Sequence, residues 1–284
     1  MPGTAHELSS PWEAVLLEPH TPNGAAVIVL SGSSGRIDRQ RTELLAEQGF
    51  LTLAIRWFGG PGQPAGICEV PLETFVAAVD LLDSRGARRI SILGWSKGAE
   101  AALLTAVHEP RVDAVVAVSP TALTWCNLGP GLDGRQRPYR SGWTWQGQPL
   151  PFVPLDDTWF EADHGEGPVA VRSSYDLSER TFADRLATAA IPVERMSADL
   201  LLIAGGDDEM WGSLRYAEQL AARRRAAGLP VRLVARADAG HRVRFPGETP
   251  APPSPVYLYG GTDEANARLG AAAWEPILST LALP

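Results

Sequence analysis

Residues 94–98 read Gly-Trp-Ser-Lys-Gly and follow the apolar run "RISIL". A serine between two glycines, at the end of a strand that leads straight into a helix, is the context a nucleophile elbow requires. The turn is so sharp that the serine backbone is strained, and a Cβ at either flanking position would strike the neighbouring strand and helix. The chemistry this predicts is acyl transfer through Ser96. The competing reading is a tight β–α turn in which Ser96 only caps the helix that begins at Lys97.

A serine hydroxyl is a poor nucleophile until a base takes its proton, and the base must itself be oriented by an acid. The chain holds five histidines. His6 and His20 precede the first confident α/β unit, His108 lies near the end of the helix after the elbow, and His164 falls in an aromatic-rich stretch. His241, in "ADAGHRVRF", follows a late apolar strand, where the base comes in the chain order Ser, Asp, His of an α/β-hydrolase. The acid is expected from "LLLIAGGDDEMW", and Asp208 is chosen with Asp207 as the alternative, because two adjacent carboxylates cannot both face one imidazole. Backbone donors for a tetrahedral oxyanion are expected from Lys97 and from Ser33 or Ser34 of "LSGSSGR". That Gly-Ser-Ser-Gly stretch lacks the Gly-Lys-Ser/Thr ending of a phosphate-binding loop. No metal-ligand spacing appears and no cofactor is implied.

Elements able to position these residues are readable from periodicity. Short apolar runs at 25–31, 50–57, 89–95, 112–120, 199–206 and 231–238 alternate with helical patterns at 37–49, 71–86, 97–109, 213–228 and 263–282. This is the rhythm of β-α-β units and a mostly parallel central sheet with helices on both faces. Between 121 and 195 the rhythm stops, and Trp125, Trp143, Trp145 and Trp159 accumulate among prolines and glycines. A stretch of that length without periodicity packs by its own side chains or covers a site. It is read as a cap inserted in a single domain spanning 1–284. Trp57, Trp95, Trp143 and Trp145 are expected to line the substrate pocket.

Bulk composition narrows the classes. With 45% hydrophobic and 20% charged residues the chain is an ordinary globular protein, and a net charge of −8 argues against a nucleic-acid partner. No apolar run is long enough to span a bilayer and the start lacks signal-peptide character, so a cytoplasmic protein without a membrane role is expected. Cys68 and Cys126 are too few for a disulfide framework and are read as reduced and structural. Lys97 is the single lysine of the chain.

"SGSSGRIDRQRTELLAEQGFLTLAIRWFGGPGQP", "GWSKGAEAALL", "IPVERMSADLLLIAGGDDEMWGS" and "GGTDEANARLGAAAWEPILSTL" together resemble the catalytic domain of the acyl-CoA thioesterase and bile acid-CoA:amino acid N-acyltransferase family, related to dienelactone hydrolases. The resemblance runs over roughly residues 20 to 282 and is most specific at "SKGAE" and "DDxxW". It implies an α/β-hydrolase fold and a nucleophile, Asp, His triad, which carries over to Ser96, Asp208 and His241. It also implies a small-molecule acyl substrate, with a CoA thioester the expected carrier. The sequence departs from the family in two ways: animal members carry an N-terminal β-sandwich before this domain, and the amino-acid-conjugating members hold Cys where this chain has Ser96. Hydrolysis of an acyl thioester is thus the expected reaction. A carboxylester or lactone hydrolase, an acyltransferase to an amine or alcohol, and a binding protein on the same fold are the rivals.

Overall fold

The computed structural model describes residues 3–284. The chain runs through β1 (Thr4–Leu8), β2 (Ala14–Glu18), β3 (Ala25–Leu30), α1 (Arg39–Glu47), β4 (Leu51–Ile55), β5 (Val70–Pro71), α2 (Glu73–Ser84), β6 (Arg89–Trp95), α3 (Lys97–His108) and β7 (Ala114–Val118). After these come β8 (Trp143–Trp145), β9 (Gln148–Pro149), α4 (Asp157–Glu161), α5 (Arg172–Thr181) and α6 (Leu186–Ala189). The regular alternation then resumes with β10 (Asp199–Gly205), α7 (Ser213–Ala226), β11 (Arg232–Arg236) and α8 (Asp263–Leu281).

Eight strands form one sheet in the order β1-β2-β4-β3-β6-β7-β10-β11. From β4 to β11 every pairing is parallel, whereas β2 joins β4, and β1 joins β2, antiparallel. Strands β3 and β7 are apolar at every position, as expected where both faces are covered. In β3, Ala26, Ile28 and Leu30 enter the core beneath α2, α3 and α7, while Ala25, Val27 and Val29 enter the core beneath α1 and α8. Strands β7 and β10 divide their side chains between the same two cores. The expected α/β alternation is therefore present element by element. The two antiparallel strands were not expected: β1 is a largely exposed, polar edge, and its five residues carry too little apolar pattern to be read as a strand.

Residues 121–195 are not a structureless loop. β5, β8 and β9 make a small second sheet, and Trp125 packs edge-on against Tyr175 with ring centroids 4.6 Å apart. The segment is tied to the elbow helix by an ion pair out of contact with water. Lys97 Nζ lies 2.6 Å from Glu100 Oε2, with the two side chains 1% and 0% exposed. The other oxygen, Oε1, accepts hydrogen bonds from the Trp125 backbone N–H at 2.9 Å and from the Trp143 indole Nε1 at 2.7 Å. Among the described residues no helix is long and apolar enough to cross a membrane.

A buried charge that loses its partner costs far more than an exposed one, on the order of 3–5 kcal/mol. Glu100→Gln leaves the Lys97 ammonium facing a neutral amide. Chemical denaturation is expected to register a loss of that size, larger than for Glu7→Gln in the exposed pair that Glu7 makes with Arg39.

Candidate active site

β6 ends at Trp95 and α3 begins at Lys97, so the whole reversal falls on Ser96, whose φ of 55° and ψ of −119° lie where only a constrained non-glycine residue is found. Close packing imposes the constraint. A Cβ on Gly98 would stand 2.6 Å from the Leu30 carbonyl oxygen, and one on Gly94 would stand 2.6 Å from the Gly98 carbonyl carbon. Both glycines are required for backbone approach. The helix-capping alternative for Ser96 is not what is found, because its side chain makes no cap hydrogen bond and instead borders a cavity.

That cavity has a volume of about 520 Å³, and its lining includes Ser96 and His241. His241 Nδ1 lies 2.7 Å from Asp208 Oδ2, with both residues buried. Nδ1 is the donor in this bond, since a carboxylate only accepts, and Nε2 is then left with its lone pair free. Asp208 Oδ1 accepts from the backbone N–H groups of Met210 at 2.8 Å and Trp211 at 3.2 Å, which locks the carboxylate in orientation. Asp207 is exposed, and its Oδ2 accepts from Gly261 N–H at 2.8 Å. The geometry thus separates the neighbours: Asp208 faces the imidazole and Asp207 faces a different loop.

His241 is held by its backbone as well as its ring. Its N–H donates to the Tyr259 carbonyl at 2.7 Å, and its carbonyl accepts from Ser119 Oγ at 2.9 Å. Ser119 is fully buried and has a φ of 48°, and its own carbonyl accepts from the Trp211 indole at 3.1 Å. Trp211 then packs edge-on against the His241 ring at 5.7 Å, and Tyr175 of the inserted segment packs on Trp211 at 5.5 Å. Sequence reasoning missed Ser119 and Trp211 as supports of the base. The indole three residues after Asp208 in "DDEMW" was a usable signal, whereas nothing in "VSP" announces a left-handed serine.

The predicted oxyanion donors fall on both sides of Ser96. Lys97 is the first residue of α3, so its N–H has no partner within the helix. Ser33 and Ser34 line the cavity, and Gly32, which was not expected, packs against Ser96, since a Cβ there would be 3.1 Å from Ser96 Cβ. Ser34 Oγ accepts from the Arg36 N–H at 3.4 Å, which steadies the loop.

The expectation for the four tryptophans needs correction. Trp95 lines the cavity, under the Arg41 guanidinium at 3.8 Å. Trp57 and Trp143 do not: both are buried in the core, stacked on each other at 5.4 Å, where Trp143 serves Glu100. Trp145 stacks on His108 at 4.7 Å, also outside the cavity lining. Residues 121–195 contribute nothing to the lining, whose walls come from 31–41 and from 242–259. Exposure cannot be seen in sequence, and Trp57, Trp125 and Trp143 extend the core beneath α2, α3 and α7 rather than line the cavity. His6, His20, His108 and His164 lie outside the cavity lining as well.

A mostly parallel eight-stranded sheet with a strained serine at the β6–α3 turn, and an Asp–His pair leaving β10 and β11, defines the α/β-hydrolase fold. An esterase from Pyrococcus furiosus has the same fold at a TM-score of 0.51 and 16% identity, covering 82% of this chain and 80% of its own. A Klebsiella pneumoniae subsp. pneumoniae MGH 78578 protein assigned to the dienelactone hydrolases matches at 0.53 and 16% identity, over 98% of both chains. Within that fold the chain belongs to the family described as BAAT / Acyl-CoA thioester hydrolase C terminal, which matches residues 70–282. It is 26% identical to acyl-coenzyme A thioesterase 6 of Homo sapiens, over 93% of this chain and 61% of that one. It is 27% identical to acyl-coenzyme A amino acid N-acyltransferase 2 of Rattus norvegicus, over 82% of this chain and 52% of that one. The chain thus spans little more than half the length of these relatives.

Two measurements follow from the placement of side chains outside the cavity. Trp143→Phe removes a hydrogen bond to a buried carboxylate and is expected to lower stability by about 1.5–3 kcal/mol, read from denaturant unfolding, while leaving the ranking of substrates as it is in the wild type. Burial pushes the Cys126 thiol up to about 12, and the Cys68 thiol upward as well. Neither is a thiolate at about pH 8, so labelling by a thiol reagent is expected only as the protein unfolds.

Proposed function

We propose that the protein is a serine hydrolase that cleaves acyl thioesters through a Ser96 acyl-enzyme. The observation that carries the reading is the Asp208–His241 pair at 2.7 Å on the same cavity as a serine held at positive φ between strand and helix. The family supplies the substrate class: its members' names divide between thioester hydrolysis and acyl transfer, and both begin with the same attack on a thioester carbonyl.

In this reaction Ser96 Oγ attacks the acyl carbon as its proton passes to His241 Nε2. Asp208 stabilises the resulting imidazolium through Nδ1–H, and the tetrahedral oxyanion takes hydrogen bonds from the N–H of Lys97 and from the Gly32–Ser34 loop. Collapse breaks the C–S bond, and the thiolate leaves with the proton returned from His241. Water, deprotonated by the same nitrogen, then attacks the Ser96 ester and releases the free acid. The inserted segment acts as a support for Trp211 and α3 within one catalytic domain.

Serine at the elbow favours water over amines as acceptor. An acyl-cysteine is a thioester and reacts readily with amines, whereas an acyl-serine is an oxygen ester and lacks that advantage. Mass spectrometry of products from an acyl-CoA, with glycine or taurine in excess, is expected to find free acid from the wild type. Amide as the main wild-type product overturns hydrolysis in favour of transfer.

Ser96→Ala is expected to lose about 10⁴-fold or more in kcat with an unchanged circular dichroism spectrum, and to resist fluorophosphonate labelling. Asp208→Asn is expected to lose about 10⁴-fold, and Asp207→Asn less than about tenfold, because only the former sets the imidazole tautomer. Retention of more than about a hundredth of the activity in Ser96→Ala overturns the nucleophile assignment.

A further inference from the structure

In a protein of net charge −8, the cavity that holds Ser96 is lined by five arginines, Arg36, Arg39, Arg41, Arg242 and Arg244, against two carboxylates, Asp38 and Glu248. Three of the five are neutralised. Arg39 pairs with Glu7 at 2.7 Å and Arg244 pairs with Asp263 at 3.0 Å. Arg41 takes up both cavity carboxylates, Asp38 and Glu248, while lying flat on Trp95. Among the described residues no carboxylate stands within ion-pairing distance of Arg36 or Arg242.

These two cations sit on the loops that carry the chemistry. Arg242 directly follows His241, and its guanidinium lies 3.7 Å above the Tyr259 ring while Nη1 donates to the Pro252 carbonyl at 2.7 Å. Stacking and that single tether hold the guanidinium plane in place and leave its other N–H groups free for a planar or tetrahedral anion. Arg36 closes the loop that begins at Gly32, and its backbone is fixed from both sides, the carbonyl accepting from Ser31 Oγ at 2.6 Å and the N–H donating to Ser34 Oγ at 3.4 Å. Surface arginines without partners are common. What distinguishes this pair is its place on the wall of a site whose own carboxylates are already engaged, with the Arg242 guanidinium and the Arg36 backbone held in position.

We propose that Arg36 and Arg242 form a subsite for an anionic group of the substrate, a phosphate or carboxylate, distal to the scissile carbonyl. The inference rests on the acyl-transfer reading for the position of that carbonyl, and it adds which residues recognise charge. Two sources of the anion are distinguishable: the phosphates of a nucleotide-bearing thiol leaving group, or a terminal carboxylate on the acyl chain.

The experiment compares wild type with Arg36→Gln/Arg242→Gln, and with Arg242→Lys, which keeps the charge. One substrate pair is a CoA thioester and the N-acetylcysteamine thioester of the same acyl group. The other is a nitrophenyl ester of a monocarboxylic acid and one of a dicarboxylic acid. Free CoA binding to each variant in a Ser96→Ala background, read by calorimetry, gives a measure independent of turnover. The double glutamine variant is expected to lose about ten- to a hundredfold in the CoA-to-N-acetylcysteamine ratio of kcat/KM, through KM, with weaker CoA binding and partial recovery in Arg242→Lys. A loss confined to the dicarboxylic-to-monocarboxylic ratio upholds the subsite and assigns the anion to the acyl side. If the wild type cleaves esters but no thioester, the thioester reading fails while the ester pair still decides the subsite. Ratios and CoA binding that are the same in wild type and double variant overturn the proposal.

Discussion

The rest of the site depends on one backbone contact, that of Gly98 in α3 against the carbonyls of Leu30 and Ser31 at the end of β3. Because helix and strand meet without a side chain between them, the chain leaving β6 has a single residue in which to reverse, and Ser96 is forced to positive φ. The same approach brings Gly32 against Ser96, so the elbow serine and the Gly32–Ser34 loop are brought together by one packing event. It also turns the Lys97 side chain inward, and the buried Glu100 is its answer. Glu100 in turn collects Trp125 and Trp143, so the inserted segment is anchored to the elbow helix rather than laid over the cavity.

The base is secured by a separate set of interactions. Asp208 divides its two oxygens between the imidazole and the turn that follows it, so the acid cannot rotate away without breaking its own loop. Ser119, Tyr259 and Trp211 hold His241 from three other directions. Tyr175 transmits the packing of the inserted segment to Trp211. An imidazole fixed at its backbone and at Nδ1 has Nε2 as its one ring nitrogen left to meet a ligand.

Sequence and structure agree where periodicity carries the information. Helices α1, α2, α3, α7 and α8 and the parallel strands β3, β4, β6, β7, β10 and β11 lie within the stretches that hydrophobic patterning marks out, most of them because they bury an apolar face. Strand β1 is too polar to leave such a trace, whereas β2, "AVLLE", is as apolar as β4 and lies outside the stretches marked out. Residue type and chain order singled out Ser96, His241 and the Asp207–Asp208 pair, and in the structure Ser96 and His241 border one cavity while His241 bonds to Asp208 and Asp207 to the Gly261 N–H. Trp143 was misplaced because an indole that faces a buried carboxylate and one that faces a ligand look alike in sequence. The cavity walls were illegible for a related reason: 242–259 has no periodicity, and its arginines gain meaning only once their partners in space are known.

The contacts that fix Ser96 and His241 and the stretches that line most of the cavity fall largely in different parts of the chain. Core glycines, the Lys97–Glu100 pair and the Trp211–Tyr175 contacts belong to the former, whereas 31–41 and 242–259 form most of the cavity wall, with Gly32 and Tyr259 common to both. Over evolutionary time these are separable traits. Exchanges at exposed positions of the two stretches, such as Ser33 and Arg36, can alter the cavity wall at little thermodynamic risk, whereas the buried Val243 and Phe245 answer to the core. Exchanges among the tryptophans of 121–195 are instead filtered first by folding. A lineage built on this scaffold would thus vary at the exposed arginines and tyrosines of the cavity wall while the aromatic packing of 121–195 stayed the same.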